Sequence, residues 1–279
     1  MADNIRVGNA EILAVLDMVP PSRDPAVFFP DVSAEDWAPY REDVLVDGQM
    51  QLYYGCFVIR SGGRTILVDT GMGPGPHPSR GNLAGDLLNQ LKLQGVSPDD
   101  VDIVVHTHLH IDHVGWNLDL SRNVPVPYFP SARYLVPRTD WEHFTLPENL
   151  GSAPWVRDNV VPLEQMGLMD LFESGHNVTD EVSTLATPGH TPGHQVVLVS
   201  SQGEKAMVVG DVLHTKVQVQ EPGWCAGVDT NKDDSRRSRE DLLRRAENED
   251  YLVAAGHFHP DQHVGRVVRL QGRRYWQAV

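Results

Sequence analysis

Four ionisable residues crowd into six consecutive positions of this sequence, shortly after an apolar run that predicts a buried strand. The run is Ile103 to Val105, and the ionisable residues are His108, His110, Asp112 and His113. Such groups need a stabilising partner at the end of a buried strand, because unpaired burial is costly. Residues two apart in an extended segment point the same way, so His108 and His110 can face one ion. Asp112 and His113 then open the next turn and can face a second ion.

The residue types of this cluster agree with a metal site. Imidazole and carboxylate groups are ligands that zinc takes in proteins, and iron and manganese also accept them. A single histidine would more often be an ordinary surface or core residue, but four such groups in six positions are unusual. The cluster therefore predicts two divalent cations as cofactors, with Zn²⁺ expected and Fe or Mn as alternatives.

Short apolar runs bounded by turn residues recur along the chain and predict buried strands. They are Ala10 to Leu16, Gly55 to Arg60, Thr65 to Val68, Ile103 to Val105, Ala132 to Val136, Val196 to Val199, Ala206 to Val209 and Tyr251 to Ala254. Amphipathic stretches predict helices over Asn82 to Leu93 and Arg236 to Ala246. Because strands and helices alternate, the predicted class is α/β. The length predicts a single domain over residues 1–279.

Charge and hydropathy exclude several classes of partner. A formal net charge of −15 would repel a phosphate backbone, so no nucleic-acid partner is predicted. The sequence has no run of about 18 apolar residues, so no membrane partner is predicted either. The polar, acidic start of the chain lacks a signal-peptide pattern, which predicts the cytoplasm. Cys56 and Cys225 are too few for a disulfide framework. A homodimer is left open.

The segment from His108 to His113 resembles the HxHxDH signature of the metallo-β-lactamase superfamily. Four further segments resemble motifs of that family in the same order along the chain: Leu67 to Gly71, Thr187 to His194, Gly210 to Asp211 and Gly256 to His257. The resemblance spans residues about 50 to 270 and is specific, because five motifs occur in order. It implies an αβ/βα four-layer sandwich with metal ions at one edge, on loops at strand ends.

By this resemblance, seven side chains would hold two ions. His108, His110 and His190 would hold one, Asp112, His113 and His257 would hold the other, and Asp211 would bridge both. Asp69 would orient a ligand histidine, and His194 would not be a ligand. His214 stands where related lactonases carry a tyrosine that contacts substrate, so it is a candidate catalytic residue.

The ligand set implies hydrolysis without a serine or cysteine nucleophile. Two cations can lower the pKa of a shared water towards neutrality, and the resulting bridging hydroxide would attack the substrate. The same ions would polarise a carbonyl or phosphoryl oxygen. Asp112 is the predicted carrier of a proton to the leaving group. A lactone, a carboxylic ester and a phosphotriester all fit this chemistry.

The stretch from Gly210 to His214, with Asp229 and Arg239 downstream, resembles the branch of quorum-sensing lactonases and methyl-parathion-hydrolase-like enzymes. Two proline-rich stretches, Pro20 to Pro39 and Pro125 to Pro147, are predicted to be long surface loops. Aromatic residues in and near them predict a small-molecule substrate that is uncharged and partly apolar. These residues are Phe28, Phe29, Trp37, Tyr53, Trp116, Phe129, Trp141 and Trp224.

The family includes three other kinds of enzyme that this sequence could resemble. True β-lactamases of its first class carry a cysteine where this chain has Asp211, which disfavours antibiotic hydrolysis. Glyoxalase II-like thioester hydrolases share all seven ligands, but their glutathione-binding region is not evident after His257. Persulfide dioxygenases use a single iron with a reduced ligand set, whereas the set here is complete. Thioester hydrolysis and the dioxygenase remain the alternative functions.

Overall fold

The computed structural model describes residues 4–279, and two large sheets dominate its architecture. The strands are β1 Asn4–Val7, β2 Ala10–Met18, β3 Leu45–Val46, β4 Gln49–Met50, β5 Tyr54–Ser61, β6 Arg64–Val68, β7 Ile103–Val105, β8 Leu118–Asp119, β9 Val126–Pro127, β10 Arg133–Pro137, β11 Met169–Phe172, β12 Val182–Ala186, β13 Gln195–Ser201, β14 Glu204–Val208, β15 Leu252–Ala254, β16 Val264–Leu270 and β17 Arg273–Ala278. The helices are α1 Pro25–Phe28, α2 Arg41–Val44, α3 Leu87–Leu93, α4 Ile111–Val114, α5 Arg138–Phe144, α6 Pro147–Leu150, α7 Pro154–Asn159, α8 Val161–Gln165, α9 Val217–Gln220 and α10 Lys232–Asn248.

Both large sheets are mixed. The first has the strand order β1-β2-β5-β6-β7-β10-β11, and its strands from β6 to β11 run parallel. The second has the order β12-β13-β14-β15-β16-β17, with only β14 and β15 parallel. The parallel pairs β6–β7 and β14–β15 are the ones whose carboxyl ends lead into the predicted metal-binding segments.

The two sheets pack face to face, and helices cover their outer faces. Ile59 of the first sheet and Val197 of the second belong to the core between the sheets. On the outside of the first sheet, Leu91 of α3 packs in a second core. On the outside of the second sheet, Leu242 and Leu243 of α10 pack in a third. This is the predicted αβ/βα four-layer sandwich, and the predicted class is confirmed.

All eight predicted strands are present in the structure, with bounds shifted by at most two residues. Most strands that the apolar runs did not predict are short or lie at the edge of a sheet, as β1, β11, β12 and β17 do. The exception is β16, a seven-residue strand between β15 and β17 whose last two residues are exposed. β17 is half-buried to exposed along its length. Edge strands expose one side to solvent, so their sequences need not be continuously apolar.

The helix predicted over Asn82 to Leu93 begins only at Leu87, so its first part is wrong. Asn82 adopts a left-handed φ of 59°, and Leu83 pairs with His77 in an isolated bridge. Left-handed backbone cannot belong to a right-handed helix. The other predicted helix extends beyond both predicted ends to Lys232–Asn248. None of the helices within residues 4–279 is both long and apolar enough to cross a bilayer.

The two predicted surface loops contain regular structure. Pro20 to Pro39 includes α1, and Pro125 to Pro147 includes β10 and α5. In α5, Phe144 packs in an apolar cluster with Leu109 and Val136. Burial against neighbouring elements stabilises these short pieces, and a proline-rich sequence does not reveal that packing. The prediction of long surface loops is therefore wrong for these parts.

Candidate metal centre

The ends of parallel strands bring the predicted site residues to one edge of the two sheets. β6 and β7 run parallel, so Asp69 and His108 follow neighbouring strands of the first sheet. In the second sheet, Asp211 and His257 follow the parallel strands β14 and β15. The loop between β12 and β13 carries His190 to the same edge. All seven predicted metal ligands lie here, and their role as ligands stays a prediction.

The carboxylate of Asp211 lies at the centre of the group and is surrounded by imidazoles. The nearest ring nitrogens are all Nε2 atoms, those of His257 at 3.0 Å, His113 at 3.1 Å, His190 at 3.1 Å and His214 at 3.3 Å. His257 and His113 face Oδ1, whereas His190 and His214 face Oδ2. One oxygen therefore points to each side of the centre, which is the arrangement that a bridging ligand needs.

Three ring nitrogens converge on the Oδ2 side without an ordinary donor between them. Nδ1 of His110 lies 3.1 Å from Nε2 of His108 and 2.8 Å from Nε2 of His190. Neutral imidazoles that bring their lone pairs together repel each other unless a proton or cation lies between them. The close approach therefore calls for a positive charge at this position, either a proton on His190 or a bound cation.

Hydrogen bonds to the other ring nitrogens turn several lone pairs towards the centre. Nδ1 of His113 donates to Asp69, Nδ1 of His190 donates to Asp229, and Nδ1 of His257 donates to the carbonyl of Tyr53. A ring that donates from Nδ1 presents a free Nε2 lone pair, the usual state of a metal-bound histidine.

Unpaired buried atoms show that these residues fit two cations. Within residues 4–279, Nε2 of His113, Oδ1 of Asp211 and both ring nitrogens of His214 are buried without a hydrogen-bond partner. Sets of ligand atoms that lie within 4.8 Å of one another comprise His108, His110, His190 and Asp211; Asp112, His113 and His257; and Asp211, His214 and His257. The first two sets match the two predicted halves of the centre, so the donor set agrees with two divalent cations.

Burial and the central carboxylate move the histidine pKa values in opposite directions. Burial opposes the charged form of His190, but Asp211 and Asp229 outweigh it and raise the pKa to about 9. Burial, helped by neighbouring imidazoles, holds the pKa of His108 and of His110 well below the usual range. In protein prepared without cations, His190 would therefore be protonated at neutral pH, whereas His108 and His110 would stay neutral.

We expect the thermal stability of the metal-free protein to be greatest near pH 6.5, the ordinary pKa of an unfolded histidine. The raised pKa of His190, about 9, stabilises the fold below pH 6.5, and this contribution is lost as the pH rises through 9. Burial lowers the pKa of His194 to about 3 and that of His214 to about 4. The unfolded chain therefore binds more protons below pH 6.5, and stability falls there too.

Melting curves of chelator-treated protein from pH 3.5 to 9.5 test this expectation. The exposed His259 supplies a control, because its side chain is 50% exposed, and the His259→Gln variant should show the same maximum. A melting temperature that rises steadily between pH 6.5 and 9 would contradict the assignment of the raised pKa.

Buried residues behind the ligands fix two of the imidazoles. Asp69 accepts from Nδ1 of His113 at 2.8 Å and from the backbone N–H and hydroxyl of Thr107. Asp229 accepts from Nδ1 of His190 at 2.8 Å and from the hydroxyl of Ser235. Carboxylates in this position orient a ring and strengthen it as a ligand. The predicted role of Asp69 agrees with this contact.

His194 holds the backbone of Asp211, a role that the sequence did not indicate. Its Nε2 accepts from the Asp211 backbone N–H at 3.0 Å, and its Nδ1 faces the hydroxyl of Thr187 at 2.8 Å. Gly210 has a φ of 51°, and a Cβ there would lie 2.6 Å from Nε2 of His194. Only glycine fits at this position, so the Gly210-Asp211 pair reflects close packing against His194.

Asp140 joins two of the predicted metal-binding segments and was missed by the sequence interpretation. It is fully buried and accepts from the backbone N–H of Leu109, the hydroxyl of Thr191 and the backbone N–H of Gly193. Leu109 lies between His108 and His110, while Thr191 directly follows His190. No local pattern identifies Asp140, because its three partners come from distant parts of the chain.

We expect the Asp140→Ala variant to lose about 3 kcal/mol of unfolding free energy, because three buried donors would lose their acceptor. The loss is measured by urea unfolding of metal-free protein. Glu142→Ala is the matched control, since Glu142 lies exposed on the same helix and should change stability by less than about 0.5 kcal/mol. Equal stability of the two variants would show that Asp140 does not brace these loops.

A cavity of about 290 Å³ opens beside the centre and contains both predicted catalytic residues, Asp112 and His214. The ring of His214 stacks on that of His257, with centroids 5.2 Å apart. Tyr54 also lines the cavity, and burial together with the Asp112 charge raises its pKa to about 12. The apolar residues of the wall are Phe28, Leu52, Ile111, Phe144, Trp155 and Val228.

Most of the aromatic residues named from the sequence pack on the core, which is the role expected for most of them individually. Of that set, Phe28 lines the cavity, whereas Phe29, Trp37 and Phe129 lie in apolar cores. Phe144 and Trp155 contribute to the wall although the sequence interpretation did not select them. The side that an aromatic ring faces depends on the packing of its loop, which composition does not specify.

The chain is similar in sequence to proteins named N-acyl homoserine lactonases. N-acyl homoserine lactonase AttM of Rhizobium radiobacter is 30% identical over 181 residues, which cover 61% of this chain and 63% of that protein. The N-acyl homoserine lactonase of Bacillus thuringiensis is 27% identical over 190 residues, covering 62% and 69% respectively. The chain thus spans less than two thirds of the length of AttM.

Two solved structures share the fold over nearly the whole chain. One is described as hydrolase AbOPH of the beta lactamase superfamily, with a TM-score of 0.88, 23% identity and coverage of 100% of this chain and 97% of that one. The other is AidC, described as a dizinc quorum-quenching lactonase with bound product, with a TM-score of 0.85, 21% identity and the same coverage. The family model of the metallo-beta-lactamase superfamily matches residues 54–257. With the model matching most of its length, the chain belongs to the metallo-β-lactamase superfamily.

Proposed function

We propose that the protein is a metal-dependent hydrolase that opens lactones and holds two divalent cations at the centre around Asp211. The observation that carries the proposal is the Asp211 carboxylate, which has imidazole Nε2 atoms from four histidines within 3.3 Å. His108, His110 and His190 would hold one cation, and Asp112, His113 and His257 the other. Both sets border the cavity. Zinc is the proposed metal, supported by the dizinc description of AidC.

When bound there, the cations supply Lewis acidity and lower the pKa of a coordinated water. The protein's own groups do the rest. Asp112 lines the cavity with a side chain 14% exposed, so its carboxylate can take a proton from the attacking water and return it to the leaving oxygen. The phenol of Tyr54 stays protonated at neutral pH and can donate to a substrate oxygen.

Lactones are the first proposed substrate class, because the relatives AttM and the Bacillus thuringiensis enzyme are named N-acyl homoserine lactonases. A cavity with an apolar wall suits a small molecule with an apolar portion. Carboxylic esters and phosphotriesters fit the same centre and are the second choice, since the structural relative AbOPH is described only as a hydrolase.

A panel of lactones, aryl esters and phosphotriesters, assayed with and without a chelator, tests the proposal. We expect proton release from lactones, its loss on chelation and its recovery on adding Zn²⁺. Metal analysis should give two ions for each chain. A single iron with oxygen consumption would instead support the persulfide dioxygenase, and turnover that resists complete metal removal would refute a metal-dependent hydrolase.

A further inference from the structure

Two guanidinium groups line the cavity beside the metal centre, and the proposed hydrolysis gives neither a role. Arg23 precedes α1, whereas Arg80 ends the short turn Pro78–Arg80. The two segments touch, since a Cβ on Gly81 would lie 3.1 Å from a side-chain carbon of Pro21. Distant parts of the chain therefore place two positive charges on one cavity.

Among the residues that the structure describes, neither guanidinium group has an anionic partner. Arg80 donates from Nε to the Tyr54 hydroxyl at 2.8 Å and from Nη1 to the carbonyl of Ser79. Arg23 lies over the ring of Phe28, 5.6 Å from its centroid. Within residues 4–279, neither forms an ion pair with a carboxylate, although the net charge is −15. Two guanidinium groups that lack a carboxylate partner line one cavity of an acidic protein. They therefore favour the binding of an anion there.

Arg239 is an arginine with a structural role and serves as a comparison for Arg23 and Arg80. It is fully buried and donates to the carbonyls of Val212, Pro222 and Trp224. Arg23 and Arg80 are only half-buried, and their donors are not filled in this way. A planar fork with free donors is well suited to bind carboxylate or phosphate oxygens.

We propose that Arg23 and Arg80 form a subsite for an oxyanion, and that the substrate is a lactone or ester bearing a carboxylate or phosphate-type group away from its scissile bond. The inference rests on the proposed function, because it assumes that the reacting carbonyl lies at the Asp211 centre. The cavity of about 290 Å³ limits the substrate to a short chain between the two groups. This differs from the uncharged substrate predicted from the sequence.

Three esters of similar length test whether the protein prefers an anionic or an uncharged substrate. They are para-nitrophenyl pentanoate, mono-para-nitrophenyl glutarate, and the para-nitrophenyl ester of phosphonobutanoic acid. With the zinc-loaded protein we expect kcat/KM for an anionic ester to exceed that for the pentanoate about tenfold or more. Arg23→Met and Arg80→Met should each reduce this ratio, and Arg80→Lys should retain part of it. A ratio measured on one preparation is independent of its active fraction, so partial misfolding cannot imitate the result.

Lys92→Gln is the control, because Lys92 is exposed on α3 and lies outside the cavity; its ratio should equal that of the wild type. The better of the two anionic esters identifies carboxylate or phosphonate as the bound group. A ratio near one in the wild type, or an unchanged ratio in both Met variants, overturns the subsite while hydrolysis of the pentanoate leaves the proposed function intact.

A binding measurement decides the question even if no ester is cleaved. Calorimetry compares the mono-anilide of glutaric acid with the anilide of pentanoic acid, neither of which is readily hydrolysed. Tighter binding of the acid form, lost in the Arg23→Met and Arg80→Met variants, supports the subsite independently of catalysis. Equal binding of the two anilides to the wild type overturns it.

Discussion

The Asp211→Asn variant is expected to lose at least about a hundredfold in kcat/KM on every substrate that the protein cleaves. The carboxylate presents one oxygen to each half of the centre, so a neutral amide weakens both cation sites at once. The loss of activity should not depend on the leaving group, because the substitution impairs cation binding and not the departure of that group. Metal content after dialysis should fall below two ions for each chain, and this is measured alongside the rate.

Asp261→Asn provides the matched control for this change. Asp261 lies near the end of the His257 segment with a side chain that is 87% exposed, so its variant should keep full activity and metal content. If Asp211→Asn retained wild-type activity and two ions, Asp211 would not be a bridging ligand and the proposed centre would have to be abandoned.

The Asp112→Asn variant is expected to lose between about a hundredfold and ten-thousandfold in kcat on alkyl lactones, the usual range for removal of a general acid and base. On para-nitrophenyl esters the loss should be clearly smaller, since nitrophenolate departs without being protonated. The physical basis is the position of Asp112, whose partly exposed carboxylate lines the cavity beside the proposed ligand His113.

Comparing the two leaving groups distinguishes proton transfer from metal loss. In Asp112→Asn the alkyl and aryl substrates should diverge, whereas in Asp211→Asn they should fall together. Metal content is determined for both variants, because Asp112 is also a proposed ligand. Equal losses on alkyl and aryl substrates in Asp112→Asn would assign it to metal binding alone and remove its role as proton carrier.

Local pattern was sufficient for much of the fold. The buried strand β7 is a continuous apolar run, and β13 contains one from Val196 to Val199, so their identity as strands follows from composition. The edge strand β17 and the short helix α5 have no such pattern, because neighbours that are distant in sequence stabilise them. The start of α3 was misplaced for the same reason, since the backbone of Leu83 pairs with His77.

The residues of the candidate site also fall into two groups, those that local sequence pattern reveals and those that only spatial contacts reveal. His108, His110, Asp112 and His113 are close in sequence, and a resemblance in motif order extended this set to the remaining ligands. Asp140 accepts hydrogen bonds from two separate segments that carry proposed ligands. No short window of the sequence reveals these contacts. Ligand chemistry is local to a motif, whereas the groups that hold the motifs together come from anywhere in the chain.

The sequence by itself determined the α/β class, the family resemblance and the candidate ligands, because residue type and spacing carry that information. Only the tertiary structure decided what surrounds them: the His194 contact to the Asp211 backbone, and the cavity shared by Arg23 and Arg80. The physical reason is that burial and charge pairing are properties of neighbours in space. The sequence shows that an arginine carries a positive charge. Only the packed structure shows whether a carboxylate forms an ion pair with it.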